Sequence, residues 1–237
     1  MNRDQERPFL QHLLELKRKI FMGVAFYVLG ACVSYLYVES VLIYITKPIG
    51  SLYFTSPAGA FLARMSLSLW GGLFLSSPVL LFLSWRFISP GLLEKEKKYI
   101  LLSTPVSILL FVIGALFAFF VALPISLKFF LAFSSEHIIP LITVNNYIQY
   151  VGVILFVFGL VFEVPLVIVL LHKIGIVSVE WLKTKRRYMV VMMLFLAAFI
   201  TPQDVFSMLI VAAPFIVLYE IGVFIVSVMS RQERVRS

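Results

Sequence analysis

The side chains best able to do chemistry in this chain are its carboxylates, each set in unusual company. Glu15, Glu94 and Glu96 stand among Lys17, Arg18, Lys19, Lys95, Lys97 and Lys98. They either pair locally with those cations, at about 0–1 kcal/mol per exposed pair, or receive a cationic group from a ligand. An ionised carboxylate accepts an arginine guanidinium as a two-pronged fork, which is stronger than a neutral hydrogen bond. Spacing alone leaves both readings open. Glu163 lies inside an apolar run, FGLVFEVP at 158–165. A lone carboxylate there costs about 3 kcal/mol in lipid. It must therefore be protonated and hydrogen-bonded between helices, be paired, or face a polar cavity, which the carbonyl freed by Pro165 would extend. Asp204 closes the turn Thr201-Pro202-Gln203-Asp204, where it can cap the next helix, serve a polar site with Thr201 and Gln203, or do both. Glu220 lies near the end of the last apolar run, close enough to reach the interface.

Covalent chemistry is not expected. His12, His137 and His172 all fall outside the apolar runs, and Glu163 has only the distant Asp204 as a partner acid. That excludes the Ser/His, Asp/Asp and HExxH arrangements an intramembrane enzyme needs. Cys32 is the single cysteine, and no Cys/His spacing suits a metal. No GxxxxGK[ST] phosphate loop is present. The reading is therefore no enzyme, no metal and no cofactor.

Lipid must surround the elements that position these acids. The 237 residues are 61% hydrophobic and 14% charged, with mean hydropathy +1.02. A soluble domain is about 25% charged, so this chain cannot cover itself with polar surface. It reads as one membrane domain over 1–237. Residues 1–19 predict an amphipathic interfacial helix, with Phe9, Leu10, Leu13, Leu14 and Leu16 near one side. Crossings follow at 20–37, extending toward Ile45, at 60–88, at 100–123 ending at Pro124, and at 147–171. Phe129–Phe133 predicts a short surface helix. A run at 188–200 is only thirteen residues, or about 20 Å as a helix, against a hydrocarbon core of about 30 Å. The last crossing is 205–229. No short apolar stretch leads into a small-residue cleavage site, so a cleavable leader is not expected.

Six crossings put both termini on one side. Segment 1–19 carries Arg3, Arg7, Lys17, Arg18 and Lys19; loop 86–99 carries Arg86, Lys95, Lys97 and Lys98. Segment 172–187 carries Lys173, Lys183, Lys185, Arg186 and Arg187, and the tail 230–237 carries Arg231, Arg234 and Arg236. The opposite side holds only Lys47, Arg64 and Lys128. The positive-inside rule then makes both termini and the loops 86–99 and 172–187 cytoplasmic. The same distribution accounts for the net charge of +8 by topology, so no nucleic-acid partner is expected.

Several stretches in order resemble the TatC family, the multi-spanning subunit of the twin-arginine protein translocase. They are HLLELKRKI at 12–20, Pro48, SPVLLFLSWRFISPGLLEKEKKY at 77–99, GALFAFFVALPISLKFF at 114–130, FGLVFEVPLVIVLL at 158–171, TPQDVFSM at 201–208 and YEIGVF at 219–224. The resemblance implies an all-α fold of six transmembrane helices in a concave, cup-like arrangement in the cytoplasmic (inner) membrane. It implies a receptor for signal peptides carrying adjacent arginines on folded cargo, working with single-span TatA/TatB-type subunits as a homo-oligomer in a larger complex driven by the proton-motive force. Glu15 and Glu96 match the family's signal-peptide acids, Phe87 and Pro90 its loop motif, and Lys17 a position that is usually Arg. Glu163 matches a polar residue facing the concave side, Pro48 an outer proline, and Thr201 and Asp204 the turn where partners dock. Gln203 replaces a proline of many relatives and Met208 a glutamine of some, and the loop around 50–60 is shorter than in enteric relatives. The competing class is a small proton-coupled solute transporter relaying protons between Glu163 and Asp204; it would be expected to carry an internal repeat, and the two halves show no convincing one.

Overall fold

The computed structural model describes residues 3–47, 49, 52–88, 94–135, 140–201 and 205–236. Side chains are described within those ranges except at 3–15, 87–88, 94–102, 199–200, 206–207, 210 and 233–236. The described chain is helical: α1 (Arg3–Leu36), α2 (Val38–Thr46), α3 (Gly59–Ile88), α4 (Glu94–Phe117), a π turn (Ala118–Ala122), α5 (Leu123–Leu131), α6 (Val144–Phe162), α7 (Val164–Lys173), α8 (Val179–Ile200) and α9 (Val205–Arg236). Five stretches among the described residues are long and apolar enough to cross a membrane: Leu16–Leu36, Gly59–Arg86, Ser103–Leu131, Val144–Lys173 and Val211–Gln232. The protein is a multi-pass membrane protein. Helix α8 is not among those five, because Lys183, Lys185, Arg186 and Arg187 fill its first half.

Four local expectations are corrected. The predicted interfacial helix over 1–19 is not separate. Residues 3–19 belong to α1, because residues 9–22 contain neither Gly nor Pro and nothing after Pro8 breaks the ladder where the segment meets the first crossing. The third crossing does not end at Pro124. Pro124 has no N–H to give the Phe120 carbonyl, and the backbone widens one residue earlier, where Leu123 N–H reaches the Ala118 carbonyl. A π turn of this kind absorbs the missing bond. The rod then continues as α5, which absorbs most of the predicted surface helix at 129–133. Finally, much of the basic segment 172–187 is helix. Gly175 adopts φ 73° and Ile176 N–H bonds to the Leu171 carbonyl at 3.0 Å, closing α7 in the usual left-handed manner. Ser178 then accepts Trp181 N–H at 3.1 Å and opens α8.

Helices α1 and α3 run antiparallel with their backbones nearly touching. A Cβ on Gly30 would lie 2.8 Å from the Gly72 carbonyl oxygen, and one on Gly72 would lie 2.5 Å from Ala31 N. Small residues permit this approach where lipid supplies no hydrophobic force between helices. Helix α3 also packs on α4 and α6, α7 on α9, and α9 on α8. The helices thus form an open row, with α1 and α8 at opposite ends. Fully buried Phe158, Phe215, Ile154 and Val211 fill its centre, with the rings of Phe158 and Phe215 edge to face at 5.0 Å. At the end holding Ile45 and Tyr53, the Tyr147 hydroxyl donates to the Ile45 carbonyl at 2.6 Å. Tyr53 pairs with the chain at 142–144 through backbone bonds of 3.1 and 2.9 Å.

Candidate functional site

The basic ends of α1 and α3 meet at Lys19, whose Nζ donates to the Arg86 carbonyl at 3.3 Å. Glu15 lies one helical turn before Lys19, so its backbone stands about 6 Å further toward that end. Trp85 Nε1 donates to Ser107 Oγ at 3.0 Å, which sets the register of α3 on α4. Glu96 precedes Ser107 by eleven residues in α4, about 16 Å further toward the same end. The backbones of Glu15 and Glu96, 81 residues apart in sequence, therefore both extend past Arg86 at one end of the row. The side chains of Glu15, Phe87 and Glu96, and the whole of Pro90, lie outside the described residues. Lys17 is exposed; two residues from Lys19, it points around the helix from it.

Glu163 occupies the joint between α6 and α7. Its N–H bonds to the Leu160 carbonyl at 3.1 Å, and regular spacing resumes when Val167 N–H reaches the Glu163 carbonyl at 2.9 Å. Pro165 beside it supplies no N–H. The side chain is 6% exposed, and neither carboxylate oxygen completes a hydrogen bond within the described structure. The hydroxyl of Ser107 faces it, and that hydroxyl accepts from Trp85. The Phe158–Phe215 ring contact and the packing of Gly222 on Pro165 put Glu163 about level with Glu220. Glu220 holds Arg186 at 2.5 Å. The buried acid thus stands at the depth where the charged half of α8 begins.

The third group of predicted residues is elsewhere. Thr201 is buried, and its hydroxyl donates to the Ala197 carbonyl at 3.0 Å, closing the end of α8. Pro48 and Asp204 lie outside the described residues. From Val205, where α9 starts, to the level of Gly222 is seventeen residues, about 25 Å of helix. Glu163 and the start of α9 at Val205 are therefore far apart. Among the described residues no three His, Cys, Asp or Glu side chains gather as a metal site.

The sequence reading missed Trp85 and Ser107 as companions of Glu163. Ser103, Thr104 and Ser107 are all buried on α4 at spacings that share a helix face. Three hydroxyls in one apolar run were the available signal.

Comparison with known proteins completes the assignment. The family profile "Sec-independent protein translocase protein (TatC)" matches residues 11–214. A TatC from Carboxydothermus hydrogenoformans is 37% identical over 235 residues, 97% of each chain. One from Aquifex aeolicus is 32% identical, covering 96% of this chain and 98% of the relative. A crystal structure of the twin arginine translocase receptor TatC in DDM superposes with TM-score 0.83 at 33% identity, covering 91% of this chain and 99% of that one. An all-helical membrane chain with these matches over nearly its whole length belongs to the TatC family and is a subunit of a Sec-independent protein translocase.

Proposed function

We propose that this chain is the receptor and core subunit of a twin-arginine translocase in the inner membrane, and that the basic end of the row takes the signal peptide. The observation carrying this reading is the Lys19–Arg86 bond, which ties α1, the helix of Glu15, to the end of α3, itself bonded through Trp85 to Ser107 on α4, the helix of Glu96. Two carboxylates at one rim suit two adjacent guanidinium groups, each bound as a charged fork. Lys17, Phe87 and Pro90 flank them in sequence. In this reading α8 is a short fifth crossing, the sixth is α9, and both termini are cytoplasmic, as the basic residues favour.

The peptide's apolar stretch would lie along the row toward Glu163. The turn at Thr201 and Asp204, at the far end of the short α8–α9 hairpin, would thin the bilayer and receive single-span TatA/TatB-type subunits, with Pro48 acting on that same side. Several copies would assemble with these partners, and the proton-motive force would drive transport.

Peptide affinity tests the receptor role. Glu15→Gln and Glu96→Gln should each weaken binding of a twin-arginine signal peptide by about tenfold or more, the worth of a hydrogen bond to a charged group. A twin-lysine peptide should bind the parent more weakly, because an ammonium cannot fork. Unchanged affinity in both variants would remove this rim from the receptor role.

A further inference from the structure

We propose that the groove between the basic ends of α8 and α9 binds the head group of an acidic phospholipid. A pocket of about 280 Å³ opens there. Lys183 and Arg186 reach it from α8, and Arg231 and Ser227 from α9. Among its described lining residues the one acid, Glu220, is held by Arg186 at 2.5 Å. One of the three described cations is thus balanced, and Lys183 and Arg231 leave the described lining net positive. The other wall is apolar, with Phe224 69% exposed.

Position chooses the occupant. The α9 lining belongs to Val211–Gln232, a stretch apolar enough to span a membrane, so acyl chains are the neighbours at that depth. The apolar run of α8 starts just past Arg186, at Tyr188, which puts the cations at the rim of the hydrocarbon. A soluble anion would satisfy the cations and make no use of Phe224. A phosphodiester carrying two acyl chains covers both. Cationic pockets between spans bind acidic head groups for this reason. The inference rests on the membrane-spanning character of the chain and not on the receptor role.

The test is lipid binding by the full chain in nanodiscs of phosphatidylcholine, with and without phosphatidylglycerol, followed by native mass spectrometry of the lipid retained on titration. The parent should retain phosphatidylglycerol in preference to phosphatidylcholine. Lys183→Gln should weaken that binding about fivefold, and the double variant with Arg231→Gln about 25-fold. Lys183→Arg with Arg231→Lys should restore it, which separates lost charge from lost fold. Lys185→Gln removes equal charge from α8 outside the pocket and should cost less than Lys183→Gln. Equal retention of both lipids, an unaltered preference in the double variant, or an equal loss in Lys185→Gln would each overturn the proposal. So would displacement of the lipid by inorganic phosphate, which would identify a soluble anion, or protection of the groove only by a second copy of the chain.

Discussion

Trp85 on α3 and Ser107 on α4 are hydrogen-bonded beside the buried carboxylate of Glu163 at the α6–α7 joint. The indole N–H donates to Ser107 at 3.0 Å, and the serine hydroxyl faces the carboxylate. Glu163 was conspicuous in the sequence because an acid in an apolar run is costly. Ser107 was not, and its neighbours explain why. Ser76, Ser77 and Ser84 give their hydroxyls to carbonyls of their own helix, so a serine in a span carries little signal by itself. Only the fold reveals which one meets another helix. Ser107→Ala would leave a half-buried indole N–H without its acceptor, and thermal unfolding in detergent should show a loss of about 1 kcal/mol. Trp85→Phe in that background removes the stranded donor and should recover part of the loss. Tyr219 makes a simpler case. Its hydroxyl donates to the Leu182 carbonyl at 2.8 Å and it is fully buried, so Tyr219→Phe should cost about 1 kcal/mol.

At the scale of elements, sequence patterning located the apolar stretches, and prolines misled about where helices stop. Pro124 reads as an end, yet one π turn lets the rod continue. Pro165 reads as freeing a carbonyl, and a joint does form at Glu163. The difference lies in which carbonyls can find another partner, and composition does not record that. The α1–α3 seam was equally hidden, because glycines in a span look alike until the facing helix is known. A side chain at position 72 would collide with α1 backbone. In a Cys32→Ser background, Gly23→Cys with Leu80→Cys should crosslink, since these positions face each other at the same seam. Adding Gly72→Leu should abolish the crosslink by forcing α1 away from α3. An undiminished crosslink would mean that the seam tolerates the bulk.

For the whole molecule, the decisive quantity is the number of crossings. The α8–α9 hairpin is fixed by Tyr219 on Leu182 and Glu220 on Arg186, so α8 returns alongside α9. The unequal sharing of Lys and Arg made this pairing of ends legible in the sequence, while the short apolar half of α8 left the count open. An impermeant thiol reagent tests it in the Cys32→Ser background. Lys17→Cys and Arg231→Cys should label from the same side and Phe54→Cys from the other. Labelling of positions 17 and 231 from opposite sides would mean five crossings.

The receptor claim is tested most directly by a twin-arginine signal peptide carrying a photo-crosslinker beside its arginine pair, bound to the full chain in membranes. The account predicts adducts on both α1 near Glu15 and the start of α4 near Glu96, lost when the peptide's arginines are replaced. Adducts confined to the α8–α9 hairpin, or unchanged without the arginines, would contradict it.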